Sequence, residues 1–133
     1  MTSDKRWQQR FASFSKALNN LSEGVTQKHY NQLEQTGLIQ MFNIAFELAW
    51  KTLKDLLINE GFLINSPRET IKQAFQAGYI VNGEMWLDAL EKRNMMVHIY
   101  DEDKNTEVLQ LIINNYSPLL TALHSTLARK ITP

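Results

Sequence analysis

Leu38 to Leu57 reads LIQMFNIAFELAWKTLKDLL, and this stretch decides the fold. Its apolar residues recur at steps of three and four, the period of a helix. Leu38, Met41, Ala45, Leu48, Thr52 and Leu56 form one row, and Ile39, Phe42, Phe46, Trp50, Leu53 and Leu57 form a second. A helix apolar over two adjacent rows packs against more than one neighbour. Two arrangements satisfy that: a dimer that covers the second row, or a long helix at the centre of its own bundle. The helix starts at Tyr30 or at Leu38 and ends at Glu60, with Gly61 just past its end. Polar positions remain at Asn43, Glu47, Lys51, Lys54 and Asp55, and Glu47 and Lys51 stand four apart in the favourable order for an ion pair.

The same period runs outward in both directions. Trp7, Phe11, Phe14, Leu18 and Leu21 form one stripe over residues 4–22, broken at Gly24. Ser66-Pro67-Arg68-Glu69 has the form of a capping box with proline at the first helical position, so a helix is expected from Pro67 to about Ala77, stopping at Gly78. After Asn82-Gly83 a fourth helix begins, anchored by Trp86, Leu90 and Val97, with Leu87 and Met95 beside them. Tyr100 to Asn105 reads as a loop or cap. A last helix spans about residues 104–130 with Leu109, Ile112, Tyr116, Leu119, Leu123 and Leu127 as its stripe, and Pro118 should kink it. The expected fold is all-α, an up-and-down four-helix bundle with an extra short helix, in one domain over residues 1–133 that dimerises.

Composition narrows the function. The chain has 133 residues and no cysteine, which excludes disulfides, thiol nucleophiles and cysteine-ligated zinc and suits a cytoplasmic setting. No run of 18 apolar residues and no apolar segment behind the N-terminal charges is present, so neither a membrane span nor a signal peptide is expected. The formal net charge is zero, which argues against tight non-specific nucleic-acid binding but leaves room for a local basic groove. The three histidines, His29, His98 and His124, are scattered, and no metal site or cofactor is expected from them.

One segment concentrates useful side chains: Arg93-Asn94-Met95-Met96-Val97-His98-Ile99-Tyr100. Asn94 and His98 share a helix face at a spacing of four. An imidazole near its ordinary pKa can exchange a proton at neutral pH, and a guanidinium can hold a phosphate. Together they suit metal-independent cleavage of RNA, with the ribose 2′-hydroxyl as nucleophile. A capping arginine and a half-buried histidine near a helix end are the plainer reading of the same residues.

Arg93-x4-His98-x-Tyr100 resembles the R-x4-H-x-Y motif of HEPN proteins (higher eukaryotes and prokaryotes nucleotide-binding). The likeness extends over nearly the whole chain, through Phe46 to Lys51, Ser66 to Glu69, Ile71 to Phe75, Trp86-Leu87 and Arg93-Asn94. Within HEPN, the chain most resembles the nucleotidyltransferase substrate-binding group and the toxins of HEPN–MNT toxin–antitoxin pairs. The resemblance implies a homodimer with facing motifs and a small MNT-type nucleotidyltransferase as partner. It implies RNA or a nucleotide as substrate, which makes the chain a candidate metal-independent endoribonuclease. By carry-over, His98 is the acid–base group, Arg93 the phosphate group, Asn94 the residue that orients them, and Tyr100 a site for adenylylation by the partner. The alternative is a non-catalytic substrate-binding subunit of a two-component nucleotidyltransferase. The chain carries no G-S-x10-D-x-D pattern, so it is not itself read as the transferase.

Overall fold

The computed structural model describes residues 2–96 and 102–131. Among the described residues six α-helices follow one another: α1 (Thr2–Gly24), α2 (Gln32–Asn59), α3 (Pro67–Gln76), α4 (Gly83–Met96), α5 (Glu102–Leu111) and α6 (Ser117–Ile131). No strand occurs among the described residues. A π-helical turn, Ile112–Tyr116, joins α5 to α6 without a break, so α1, α2, α4 and the α5–α6 rod are long and α3 is short. The expected helical bundle is what the chain forms.

Helix boundaries follow local chemistry. α2 begins at a capping box: the Asn31 side chain accepts from the Glu34 N–H at 2.8 Å, and the Asn31 N–H donates to Glu34 Oε1 at 2.9 Å. This settles the open start of the helix. Its end is a Schellman motif, with Gly61 at φ +100°, its N–H on the Ile58 carbonyl and the Phe62 N–H on that of Leu57. Gly78, at φ +85°, closes α3 in the same way through the carbonyls of Phe75 and Ala74. Ser66 caps α3 by accepting from the Glu69 N–H at 3.1 Å, while the Glu69 carboxylate accepts from the serine hydroxyl. Asn82 Oδ1 accepts from the Met85 N–H at the start of α4.

Pro118 does not break the last rod. A proline lacks the N–H of its turn and its ring crowds the carbonyl four residues back. The π-turn immediately before it takes up that crowding, and the Ser117 N–H reaches back five residues to the Ile112 carbonyl. Beyond the turn, Leu120 rather than Leu119 is the fully buried residue, with Leu119 partly buried against the core.

Buried side chains form one connected core. α2 lies at its centre and packs on α1, α3, α5 and α6. The second row, Ile39 to Leu57, is buried throughout, and the first row is buried except at Met41 and Leu48. Both rows are thus used mainly within the chain, and the two-row pattern does not of itself require a second copy. Phe42 stacks on Tyr116 at 5.4 Å, and Phe46 meets Trp86 of α4 at 5.6 Å. Asp55, one of the polar positions noted in the sequence, is buried and takes Arg10 Nε at 3.1 Å, which ties α1 to α2. Among the described residues no helix is long and apolar enough to cross a membrane.

Candidate functional site

α4 ends the described segment at Met96, so Arg93 and Asn94 sit in its last turn. His98 and Tyr100 lie outside the described residues, as does the anchor Val97. The structure brings Arg93 and Asn94 together: Arg93 Nη1 donates to Asn94 Oδ1 at 2.9 Å.

The other end of the guanidinium reaches α2, where Arg93 Nη2 pairs with Glu47 Oε1. Glu47 is a hub. Its Oε1 also accepts from Trp50 Nε1 at 3.2 Å, and its Oε2 pairs with Lys51 Nζ at 3.1 Å. The i,i+4 pair expected from the sequence is present, but Glu47 does more than it implied. Burial lowers the Arg93 pKa from its usual value, because a cation loses hydration there. Arg93 and Lys51 against Glu47 leave one net positive charge in this cluster.

α4 is held to the rod by a second polar cluster. The Tyr116 hydroxyl donates to Asp88 Oδ2, and Lys92 Nζ pairs with Asp88 Oδ1 at 3.0 Å. The tyrosine hydrogen bond draws the Asp88 carboxyl below its usual range. Trp86 on Phe46 and Asp88 on Tyr116 therefore fix how α4 sits against α2 and the π-turn, and with that the direction in which Arg93 points.

Arg93 opens onto a cavity of about 580 Å³ between α2 and α4. α2 supplies Gln40, Asn43, Ile44, Glu47 and Leu48, and α4 supplies Arg93 and Met96. Asn43 Oδ1 is buried and accepts no hydrogen bond among the described residues. Asn43 and Glu47 stand out in the sequence as polar positions, and this wall adds Gln40 to them. Its signal is the row Gln40, Asn43, Glu47, three polar residues on one face of α2. A guanidinium steadied by a carboxylate and an amide, at the mouth of a mixed polar and apolar cavity, is equipped to hold a phosphate ester beside an organic group. Among the described residues no group of three or more His, Asp or Glu side chains could hold a metal ion.

The third histidine sits elsewhere. His124 stacks on Phe11 at 4.7 Å, and its Nε2 lies 2.8 Å from Ser15 Oγ. The Ser15 hydroxyl donates to the Phe11 carbonyl, so the ring nitrogen is the donor to Ser15. This is a packing histidine on the α1–α6 seam.

A family model described as "Nucleotidyltransferase substrate binding protein like" matches residues 9–129. Among solved structures, the crystal structure of ttk003001694 from Thermus thermophilus is similar, with 27% identity and a TM-score of 0.78. The match covers 87% of this chain and 97% of that one. No curated protein matches.

Proposed function

The chain belongs to the nucleotidyltransferase substrate binding protein-like family, and from that premise we propose that it is the HEPN-type helical component of a two-protein system with a nucleotidyltransferase. In this reading it forms one domain, pairs with a second copy and cleaves RNA without a metal ion at a site built on Arg93, Asn94 and His98. The observation that carries the proposal is the setting of Arg93. The arginine that heads the R-x4-H-x-Y motif is braced by Glu47 and Asn94 at the mouth of a nucleotide-sized cavity. An arginine kept only as a helix cap has no need of that brace or that opening.

The chemistry follows from the side chains. His98 takes the proton of a ribose 2′-hydroxyl, and the freed oxygen attacks the adjacent phosphorus. The bond from phosphorus to the 5′-oxygen breaks, and that oxygen takes a proton from solvent water as it leaves. The products are a 2′,3′-cyclic phosphate and a 5′-hydroxyl. Arg93 stabilises the charge that builds on the phosphoryl oxygens, and Asn94 sets its angle. Ile44, a large apolar residue left exposed on α2 at this cavity, supports a second copy on that face. Adenylylation of Tyr100 by the partner would add negative charge and bulk beside the motif and exclude RNA.

A second reading follows from the family description: a subunit that holds substrate for the transferase and does no chemistry of its own. The Glu47 pairing, which offsets the Arg93 charge, also suits a binding role. Induction of the chain without its partner separates the two. Wild type is expected to arrest growth and fragment cellular RNA, and His98→Ala is expected to do neither. Intact RNA and normal growth with wild type would put the substrate-holding reading in its place.

A further inference from the structure

A second cavity, of about 430 Å³, lies between α3 and the start of α4. It shares no lining residue with the one at Arg93, and α4 runs about 20 Å from its first residue to its last. Ile71 and Leu87 line this groove, and Phe75 and Val81 stand out from it, 51% and 88% exposed. A Cβ on Gly83 would meet the Phe75 ring at 3.4 Å, so the bare glycine lets that ring lie close against the first turn of α4. An aromatic and a branched side chain left together in the open, with charge at their margins, mark a surface that another protein covers. The margins say which protein. α3 puts Lys72 on one rim and α4 puts Glu84 on the other, and among the described residues neither forms an ion pair.

Two copies that meet through one and the same face are related by a two-fold axis lying in the plane of contact. With that axis along the groove, the rims exchange sides. Lys72 of each copy then comes opposite Glu84 of the other, and the two Phe75 rings meet across the axis. Rims of like charge would repel in this arrangement, whereas opposite rims make the face complementary to itself. The formal net charge of zero sets no long-range repulsion against the approach. We infer that the α3–α4 groove is a contact between two copies of this chain, closed by Phe75, Val81 and Leu87 and keyed by two Lys72–Glu84 pairs. The contact is separate from the pairing proposed at the Arg93 face and does not rest on it. With both contacts made, the assembly is at least a tetramer.

Analytical ultracentrifugation of the purified chain over a range of concentrations tests it. Phe75→Asp and Val81→Asp are each expected to halve the mass of the wild-type assembly. A thermal melt checks that both stay folded, and Val81→Asp decides alone if Phe75→Asp does not. Lys72→Glu and Glu84→Lys each set like charges opposite one another at two places, and each should weaken association about tenfold or more. The double variant puts opposite signs back on the two rims and should associate within about threefold of wild type, a recovery that only a face paired with itself gives. Ile44→Asp keeps the two contacts apart: the effect of Phe75→Asp should persist in that background, whether or not copies pair at the Arg93 face. A mass that the folded aspartate variants leave unchanged overturns the inference. So does a double variant that associates no better than the single ones, and the groove is then left to a different protein.

Discussion

Glu47 decides what Arg93 is free to do. Its carboxylate takes the guanidinium, the Trp50 indole N–H and the Lys51 ammonium at once, and so holds Arg93 at a fixed angle. A phosphate arriving at Arg93 competes with Glu47 for the same donors. Glu47→Gln keeps an acceptor for Trp50 but removes the counter-charge. RNA is expected to bind a few-fold tighter at low salt, since one more phosphate contact is favoured. Cleavage is expected to slow by about tenfold, because the guanidinium is no longer held in place and orientation carries much of its effect. The binding of an uncleavable 2′-O-methyl oligonucleotide and the single-turnover rate on its cleavable counterpart separate the two effects. Unchanged values for both would show that Glu47 is only a surface ion-pair partner.

At the scale of the element, the helix ends are fixed by backbone chemistry that can be tested one residue at a time. Gly61 holds φ +100°, and a Cβ added there meets nothing within 4 Å. Gly61→Ala should therefore cost only the backbone term, about 1 kcal/mol, and lower Tm by a few degrees in a thermal melt. No change in Tm would mean that the Schellman end of α2 is not a stabilising feature. Such ends were legible in the sequence. Gly61, Gly78 and Ser66-Pro67-Arg68-Glu69 mark them by residue type alone, and the apolar stripes mark the helices between them.

Two elements were less legible, each for a physical reason. α2 buries nothing before Leu38, and Leu33 in its first turn is 81% exposed, so no stripe announces the turns between Asn31 and Leu38. Only the Asn31 and Glu34 box does so. The π-turn leaves no compositional mark of its own. Pro118 announces a disturbance in the rod but not which way the chain absorbs it. At the site, Arg93 and Asn94 were legible because they share a local motif with His98 and Tyr100. Glu47 was not, because its i,i+4 neighbour Lys51 already accounts for it and its pairing with Arg93 depends on how α4 packs across α2.

At the scale of the whole molecule, the seam between α1 and α6 should make stability depend on pH. Burial holds the His124 pKa below its ordinary value of 6.5. Between the folded value and 6.5 the unfolded chain binds more protons, so stability rises with pH through that window. His124 thus contributes fully above 6.5, and the contribution is lost as pH falls through 6.5 toward the folded value. Asp88, drawn below 3.8, acts in a separate and more acidic window. Tm is expected to fall on acidification from about pH 7.5 to 5.5, and the fall should be shallower in His124→Gln. Parallel curves for the two proteins would assign the dependence to other groups.

The same packing carries the functional claim, since α4 holds Arg93 only because Trp86 and Asp88 fix it against α2 and the rod. The most direct test is cleavage of a single-stranded RNA by the purified chain in EDTA, with wild type and Arg93→Ala side by side and the new ends identified. Wild type is predicted to leave 2′,3′-cyclic phosphate and 5′-hydroxyl ends, and Arg93→Ala to cut at least about a hundredfold more slowly, the loss expected when a charge-stabilising donor is removed. Intact RNA with wild type, or equal cutting by the two proteins, would contradict a nuclease centred on Arg93.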